Sequence, residues 1–126
     1  MQLTFAEFTK GNKLRSVECF EREVEPASVE AFAIGVAEEV GEVMGKVRAL
    51  LGYSRRKKDA VTPEDLGDEI ADAVHYLDLL AECYGMRLED CLQRKYNRVS
   101  ERSGSSFRFR DGRLVRVDGK EFKDVS

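Results

Sequence analysis

One histidine, three cysteines, two prolines and no tryptophan leave this chain short of the side chains behind several familiar chemistries. With His75 alone and no Cys-x-x-Cys spacing, a zinc site of histidine and cysteine is nearly excluded and a histidine-based catalytic triad is weakened. Cys19, Cys83 and Cys91 are odd in number and lack Cys-x-x-Cys spacing, so they read as reduced core thiols of a cytosolic protein rather than a metal or redox site. No apolar run approaches the roughly 20 residues that span a bilayer. Residues Met1 to Lys10 lack the charged start and apolar middle of a signal peptide, which predicts a cytoplasmic protein. A net charge of −3 gives no general attraction to nucleic acid or to an anionic membrane, so neither is expected as a partner. No segment repeats at a fixed period and none is low in complexity.

What remains suits a helical domain. The 126 residues are enough for one real core, and 42% hydrophobic with 36% charged residues fits a soluble, helix-rich chain. Residues 1–25 read as helical. Thr4 and Glu7 have the spacing of a capping box, Phe5, Phe8, Leu14, Val17 and Phe20 supply anchors, and Gly11-Asn12 is a potential interruption. Pro26 closes this segment and Ser28 can cap the next. Over residues 29–51, Phe32, Val36, Val40, Val43, Val47 and Leu50 mark an apolar stripe at helical spacing, and Gly52 stops it. Thr62-Pro63-Glu64-Asp65 then combines a cap, a first-position proline and first-turn acids, starting a helix over residues 63–84 whose stripe includes Leu66, Ile70, Leu77 and Leu80. Residues 87–102 predict a fourth helix. After Ser103 the pattern alternates: Phe107-Arg108-Phe109-Arg110, the turn pair Asp111-Gly112, then Leu114-Val115-Arg116-Val117, predicting a small hairpin and a frayed end. The expected organisation is a helical domain over 1–104 and a hairpin or tail over 105–126.

The chemistry gathers in the second and third helices. Glu38-Glu39-Val40-Gly41-Glu42 is answered one helix later by Glu69 and Asp72. Like charges this dense repel, and a divalent cation is the economical reason to hold them together. On the helical wheel Glu39 and Glu42 share one flank of the apolar stripe, with Gly35 leaving room beside them, while Glu38 points further out. Glu69, Asp72 and Tyr76 line the matching flank of the next helix. The short connection makes the two helices antiparallel, and folding about Lys57 sets Glu42 level with Asp72. Glu39 and Glu69 then lie within roughly 9 Å of that level at 1.5 Å rise per residue. An all-oxygen set of this kind suits Mg²⁺ or Mn²⁺ rather than zinc. A di-iron carboxylate bundle is weighed through Asp72-x-x-His75, but the wheel places His75 away from the acidic flank and no second histidine exists. His75 is expected to be a partly buried, hydrogen-bonded residue.

A carboxylate-held metal with open positions commonly meets a phosphate substrate. Lys57 and Lys58 in the connecting loop, and Lys95, Arg98 and Arg102 on one face of the fourth helix, are candidates for its remaining charge.

Glu38-Glu39-Val40-Gly41-Glu42 matches the EExxE motif of the MazG-like, all-α nucleotide pyrophosphohydrolases. Asp65-Leu66-Gly67-Asp68-Glu69-Ile70-Ala71-Asp72-Ala73-Val74-His75-Tyr76-Leu77 resembles their second motif, with His75 where tryptophan is frequent. Lys95-Tyr96-Asn97-Arg98-Val99-Ser100-Glu101-Arg102-Ser103-Gly104 resembles their C-terminal basic segment. The resemblance covers roughly residues 28–104. It implies a four-helix bundle of the MazG-like type and cleavage of nucleoside triphosphates between the α and β phosphates. It also implies Mg²⁺ on Glu39, Glu42, Glu69 and Asp72, with Glu38 orienting or deprotonating water. Lys95, Asn97 and Arg102 would contact phosphate or sugar, and a homodimer or homotetramer is expected. The competing expectation is a non-catalytic helical interaction module of the same fold.

Overall fold

The computed structural model describes residues 1–53 and 60–122 and is mostly helical. Helices α1 (Phe5–Phe20), α2 (Val29–Leu50), α3 (Pro63–Cys83) and α4 (Leu88–Ser103) are followed by strands β1 (Phe107–Arg110) and β2 (Arg113–Arg116). The all-α class with a short C-terminal hairpin is therefore observed. No helix among the described residues is long and apolar enough to cross a membrane. The chain divides into two compact units, Met1–Met86 and Arg87–Ser126.

In the first unit, helix boundaries follow local chemistry. Thr62 caps α3 as expected, and with Asp65 it closes a full capping box: the Asp65 N–H donates to Thr62 Oγ1 at 3.2 Å and the Thr62 N–H donates to Asp65 Oδ2 at 2.9 Å. Thr4 caps α1 by accepting the Glu7 N–H. Ser28 stands at the start of α2 without capping it; its hydroxyl donates to the Glu23 carbonyl instead. Gly52, at φ 80°, follows the end of α2 in the left-handed conformation that glycine adopts without strain.

Helices α2 and α3 pack antiparallel. Phe32 meets Leu79 in the core, the Tyr76 ring lies over Gly35, and Glu39 stands beside Asp72. Each step toward the end of α2 is thus a step toward the start of α3. The core cluster is small: Phe32, Leu79 and Cys83, with Val24, Val29, Tyr76 and Leu80 against it. Only Cys83 of the three cysteines is a core thiol, and burial pushes its pKa up. Cys91 is half-buried and Cys19 is at the surface, because Cys19 sits on the outward face of α1.

Two expectations for α1 are corrected. Gly11-Asn12 does not interrupt it, and of its expected apolar anchors Phe8 is half-buried against His75 whereas Leu14 and Phe20 are more than 60% exposed. Its buried face is polar. Asp78 of α3 is fully buried and accepts Thr9 Oγ1 at 2.8 Å and Asn12 Nδ2 at 3.1 Å. Asn12 Nδ2 also donates to the His75 carbonyl, and Lys13 pairs with Glu82 at 3.2 Å. Charge-assisted bonds to a desolvated carboxylate are strong enough to dock a helix that offers little buried apolar surface.

In the second unit, β1 and β2 pair antiparallel, with Phe107 opposite Arg116 and Arg110 opposite Arg113. Asp111 and Gly112 both take positive φ, as a two-residue hairpin turn requires. Helix α4 carries the hairpin. Asn97 Nδ2 donates to the Phe109 carbonyl at 2.8 Å, the Phe109 N–H donates to Asn97 Oδ1 at 2.7 Å, and the Tyr96 and Phe109 rings meet edge-on.

Candidate metal centre

The matched register of α2 and α3 brings carboxylates together. Oxygens of Glu39, Glu69 and Asp72 all lie within 4.8 Å of one another. Glu39 and Glu69 are half-buried and Asp72 is exposed, so the cluster borders the helix pair and opens outward. Its electrostatics register the crowding. The Glu39 pKa is raised, first by partial burial, then by the charges of Asp72 and Glu69, a hydrogen bond with Glu69, and the charge of Glu42. A site that disfavours its own ionised form is one a cation relieves.

The donor set fits a hard divalent ion. The three oxygens stand up to 4.8 Å apart, wider than the roughly 3 Å between neighbouring ligands of a six-coordinate Mg²⁺, so the carboxylates would draw inward by side-chain rotation to share one ion. All ligand atoms are oxygen, as Mg²⁺ or Mn²⁺ prefers.

Of the four expected metal ligands, three converge and Glu42 does not. It is exposed and outside the cluster, although its charge still reaches Glu39. Glu38 is also exposed, consistent with its outward position on the wheel. Tyr76 is half-buried against Gly35 and lines the same cavity as Glu39 and Asp72. His75 corrects the wheel: its Nδ1 lies 3.7 Å from Asp72 Oδ1, because residues one turn apart on a helix share a side. Its ring is half-buried against Phe8 at 5.1 Å between centroids, and its hydrogen bond is made by the backbone carbonyl.

The expected basic contacts are distributed differently. Lys57 and Lys58 lie outside the described residues. Lys95, Arg98 and Arg102 are exposed on α4, within the second unit. Both polar ends of the Asn97 amide are taken by the Phe109 backbone, so this side chain serves the hairpin.

A cavity of about 660 Å³ adjoins the acids, in the range of small-molecule sites. Glu39, Asp72, His75 and Tyr76 contribute from α2 and α3, and Arg15, Phe20 and Arg22 contribute from α1 and the segment after it. Sequence reasoning missed Asn12, Arg15, Arg22 and Asp78. Asp78 had a signal, a carboxylate among Leu77, Leu79 and Leu80; the arginines had none. No family model, curated protein or solved structure matches the chain.

Proposed function

We propose that this chain is a Mg²⁺-dependent nucleotide pyrophosphohydrolase of the MazG-like type, which hydrolyses nucleoside triphosphates between the α and β phosphates to a monophosphate and pyrophosphate. The observation that carries the reading is the convergence of Glu39, Glu69 and Asp72 beside a nucleotide-sized cavity. The motif resemblance supports the same reading, together with a four-helix bundle and a cytoplasmic setting.

Glu39, Glu69 and Asp72 would hold the ion, with Glu42 as the nearby fourth carboxylate. When bound, the ion supplies charge neutralisation to the phosphates and a more acidic water. Glu38 orients or deprotonates the attacking water from the solvent side of the cluster. Tyr76 walls the cavity, and its fixed seat on Gly35 keeps the substrate in one orientation relative to Glu39 and Asp72. Lys57, Lys58, Lys95, Arg98 and Arg102 are the further cationic candidates.

Assembly belongs to this proposal. Val40 and Met44 on α2 with its C-cap Leu51, and Ile70 and Leu77 on α3 with its C-cap Tyr84, are all at least 40% exposed. Each set recurs at helical spacing, so each helix leaves an apolar seam uncovered. A second copy of the chain, in a homodimer or homotetramer, is the occupant this reading assigns to it.

The test is pyrophosphate release from a nucleotide panel with and without Mg²⁺, paired with thermal melts. The wild type should turn over and melt higher with Mg²⁺; Asp72→Asn should lose both. Turnover equal to wild type in that variant removes the metal assignment. Absence of any Mg²⁺-dependent stabilisation favours the non-catalytic helical module.

A further inference from the structure

Three carboxylates facing one divalent cation leave a net negative charge, and a triphosphate adds several more. A site that takes such a substrate needs fixed positive groups as well as the ion. Within the first unit, the cationic side chains that line the acid-bordered cavity are Arg15 and Arg22.

Their placement is built by the fold. Arg15 belongs to α1, which Asp78 docks against α3 through Thr9 and Asn12. Arg22 follows Glu21, whose φ of 50° turns the chain back at the end of α1. Ser16, only 2% exposed, fixes Arg22 from both sides: the Arg22 N–H donates to the Ser16 carbonyl at 3.1 Å, and Ser16 Oγ donates to the Arg22 carbonyl at 2.9 Å. The backbone of Arg22 is thereby held in place. Among the described residues neither Arg15 nor Arg22 makes a side-chain hydrogen bond or an ion pair with an acid of the chain. Lys13, one turn before Ser16, does pair with Glu82. Glu82 is roughly 15 Å along α3 from Asp72 at 1.5 Å per residue. The later part of α1 therefore enters the cavity from the Leu79 side, away from the acids.

We propose that Arg15 and Arg22 bind the phosphate groups of the substrate that the metal-bearing carboxylates do not reach, so that one cavity grips a polyphosphate by an ion at one side and a pair of guanidiniums at the other. The proposal rests on the pyrophosphohydrolase reading above and deepens it. Guanidiniums are permanently charged, donate only, and match phosphate oxygens in pairs. A nucleobase edge mixes donors with acceptors and carries no charge, so it gives two unpaired arginines no comparable partner. The expected role is binding, not proton transfer.

The probe is inorganic pyrophosphate, titrated calorimetrically into the full chain with Mg²⁺ present, for the wild type, Arg15→Ala, Arg22→Ala and the double variant. Each single change should weaken binding about tenfold, and the pair by more, as loss of hydrogen bonds to a charged group implies. Arg→Lys at either position should recover part of the loss, since charge is kept and the fork is not. Melts with Mg²⁺ should be unchanged, because only the side chains of these residues are free. On a nucleotide panel the variants should raise KM for every base alike. Pyrophosphate binding by the double variant equal to wild type overturns the proposal, as does a change confined to the ranking of bases, which would seat the arginines on the nucleoside. Failure of the reading beneath it shows separately, as a wild type with neither turnover nor Mg²⁺-dependent stabilisation.

Discussion

Gly35 and Tyr76 are in direct contact across α2 and α3: a Cβ added at Gly35 would stand 2.5 Å from Cδ1 and Cε1 of the tyrosine ring and 2.8 Å from its Cζ. A rigid ring cannot yield as a flexible chain end would, so Gly35→Ala forces Tyr76 or the helix pair to move. Replacing a helical glycine by alanine ordinarily gains about 1 kcal/mol, but overpacking costs about 1–3 kcal/mol. The cost wins here. Gly35→Ala should be destabilised in urea denaturation and should lose Mg²⁺-dependent stabilisation, because Tyr76 stands beside Glu39 and Asp72 in the cavity wall. Gly45→Ala is the control. Nothing lies within 4 Å of its added Cβ, so it should gain about 0.5–1 kcal/mol.

Asp78 carries the docking of α1. Its side chain is fully buried and both oxygens accept bonds from that helix. Asp78→Ala strands the Thr9 hydroxyl and takes one of two acceptors from Asn12, whose other partner, the His75 carbonyl, remains. Loss of a charged acceptor among buried donors costs about 2–4 kcal/mol. Hydrogen exchange should show α1 losing protection well beyond α3. Asp78→Asn keeps one carbonyl acceptor and should fall between Ala and wild type. Uniform loss of protection across α1, α2 and α3 would instead make Asp78 a general core residue.

These two contacts show what the residues disclose before folding and what they do not. The acidic pairs were legible because Glu39 and the Glu69–Asp72 pair each border an apolar stripe on helices joined by a short connection. The finer register was not. Folding about Lys57 levels Glu42 with Asp72, whereas the packing of Phe32 on Leu79 and Tyr76 on Gly35 slides α2 by about one turn and sets Glu39 there. Side-chain volumes at Gly35 and Tyr76 decide that step, and periodicity cannot see it. The same blindness applies to α1. Its inward positions, half-buried Thr9 and buried Asn12 and Ser16, have helical spacing, but they are polar, so a search for apolar stripes selects Leu14, Val17 and Phe20, which face outward. An apolar stripe at helical spacing suggests a single core-facing surface, yet Val40, Met44 and Leu77 are at least 40% exposed in the single chain.

Glu39 ties stability to pH and to metal. Its folded pKa lies above the ordinary 4.5, chiefly through burial and then the charges of Asp72 and Glu69. The fold therefore favours protonated Glu39. That contribution is fully present below the unfolded pKa and is lost as pH rises through the raised folded value. Glu39→Gln mimics the protonated form at every pH. Without Mg²⁺ it should melt above wild type at pH 7 and level with it near pH 4. With Mg²⁺ at pH 7 the order should reverse, since the wild type gains from the ion and the variant has lost a ligand. A wild type that melts above Glu39→Gln at pH 7 without metal would show the carboxylates are not crowded in solution.

The uncovered seams on α2 and α3 give a prediction about assembly. Burying a methionine or leucine side chain contributes about 1.5–3 kcal/mol, so Met44 and Leu77 in a shared interface would each count strongly toward association. A glutamate at either position would bring an unpaired charge into that interface, which costs still more. Met44→Glu and Leu77→Glu should each convert an oligomer to monomer in sedimentation velocity at micromolar concentration. Helicity by circular dichroism should stay near wild type, because both side chains already lie at the surface of the single chain. Glu30→Lys on α2, another exposed charge change but off the seam, should leave the sedimentation coefficient alone. A wild type that sediments as a monomer throughout that range would leave the apolar seams without the occupant assigned to them, and the pyrophosphohydrolase reading would then have to stand on one copy of the chain.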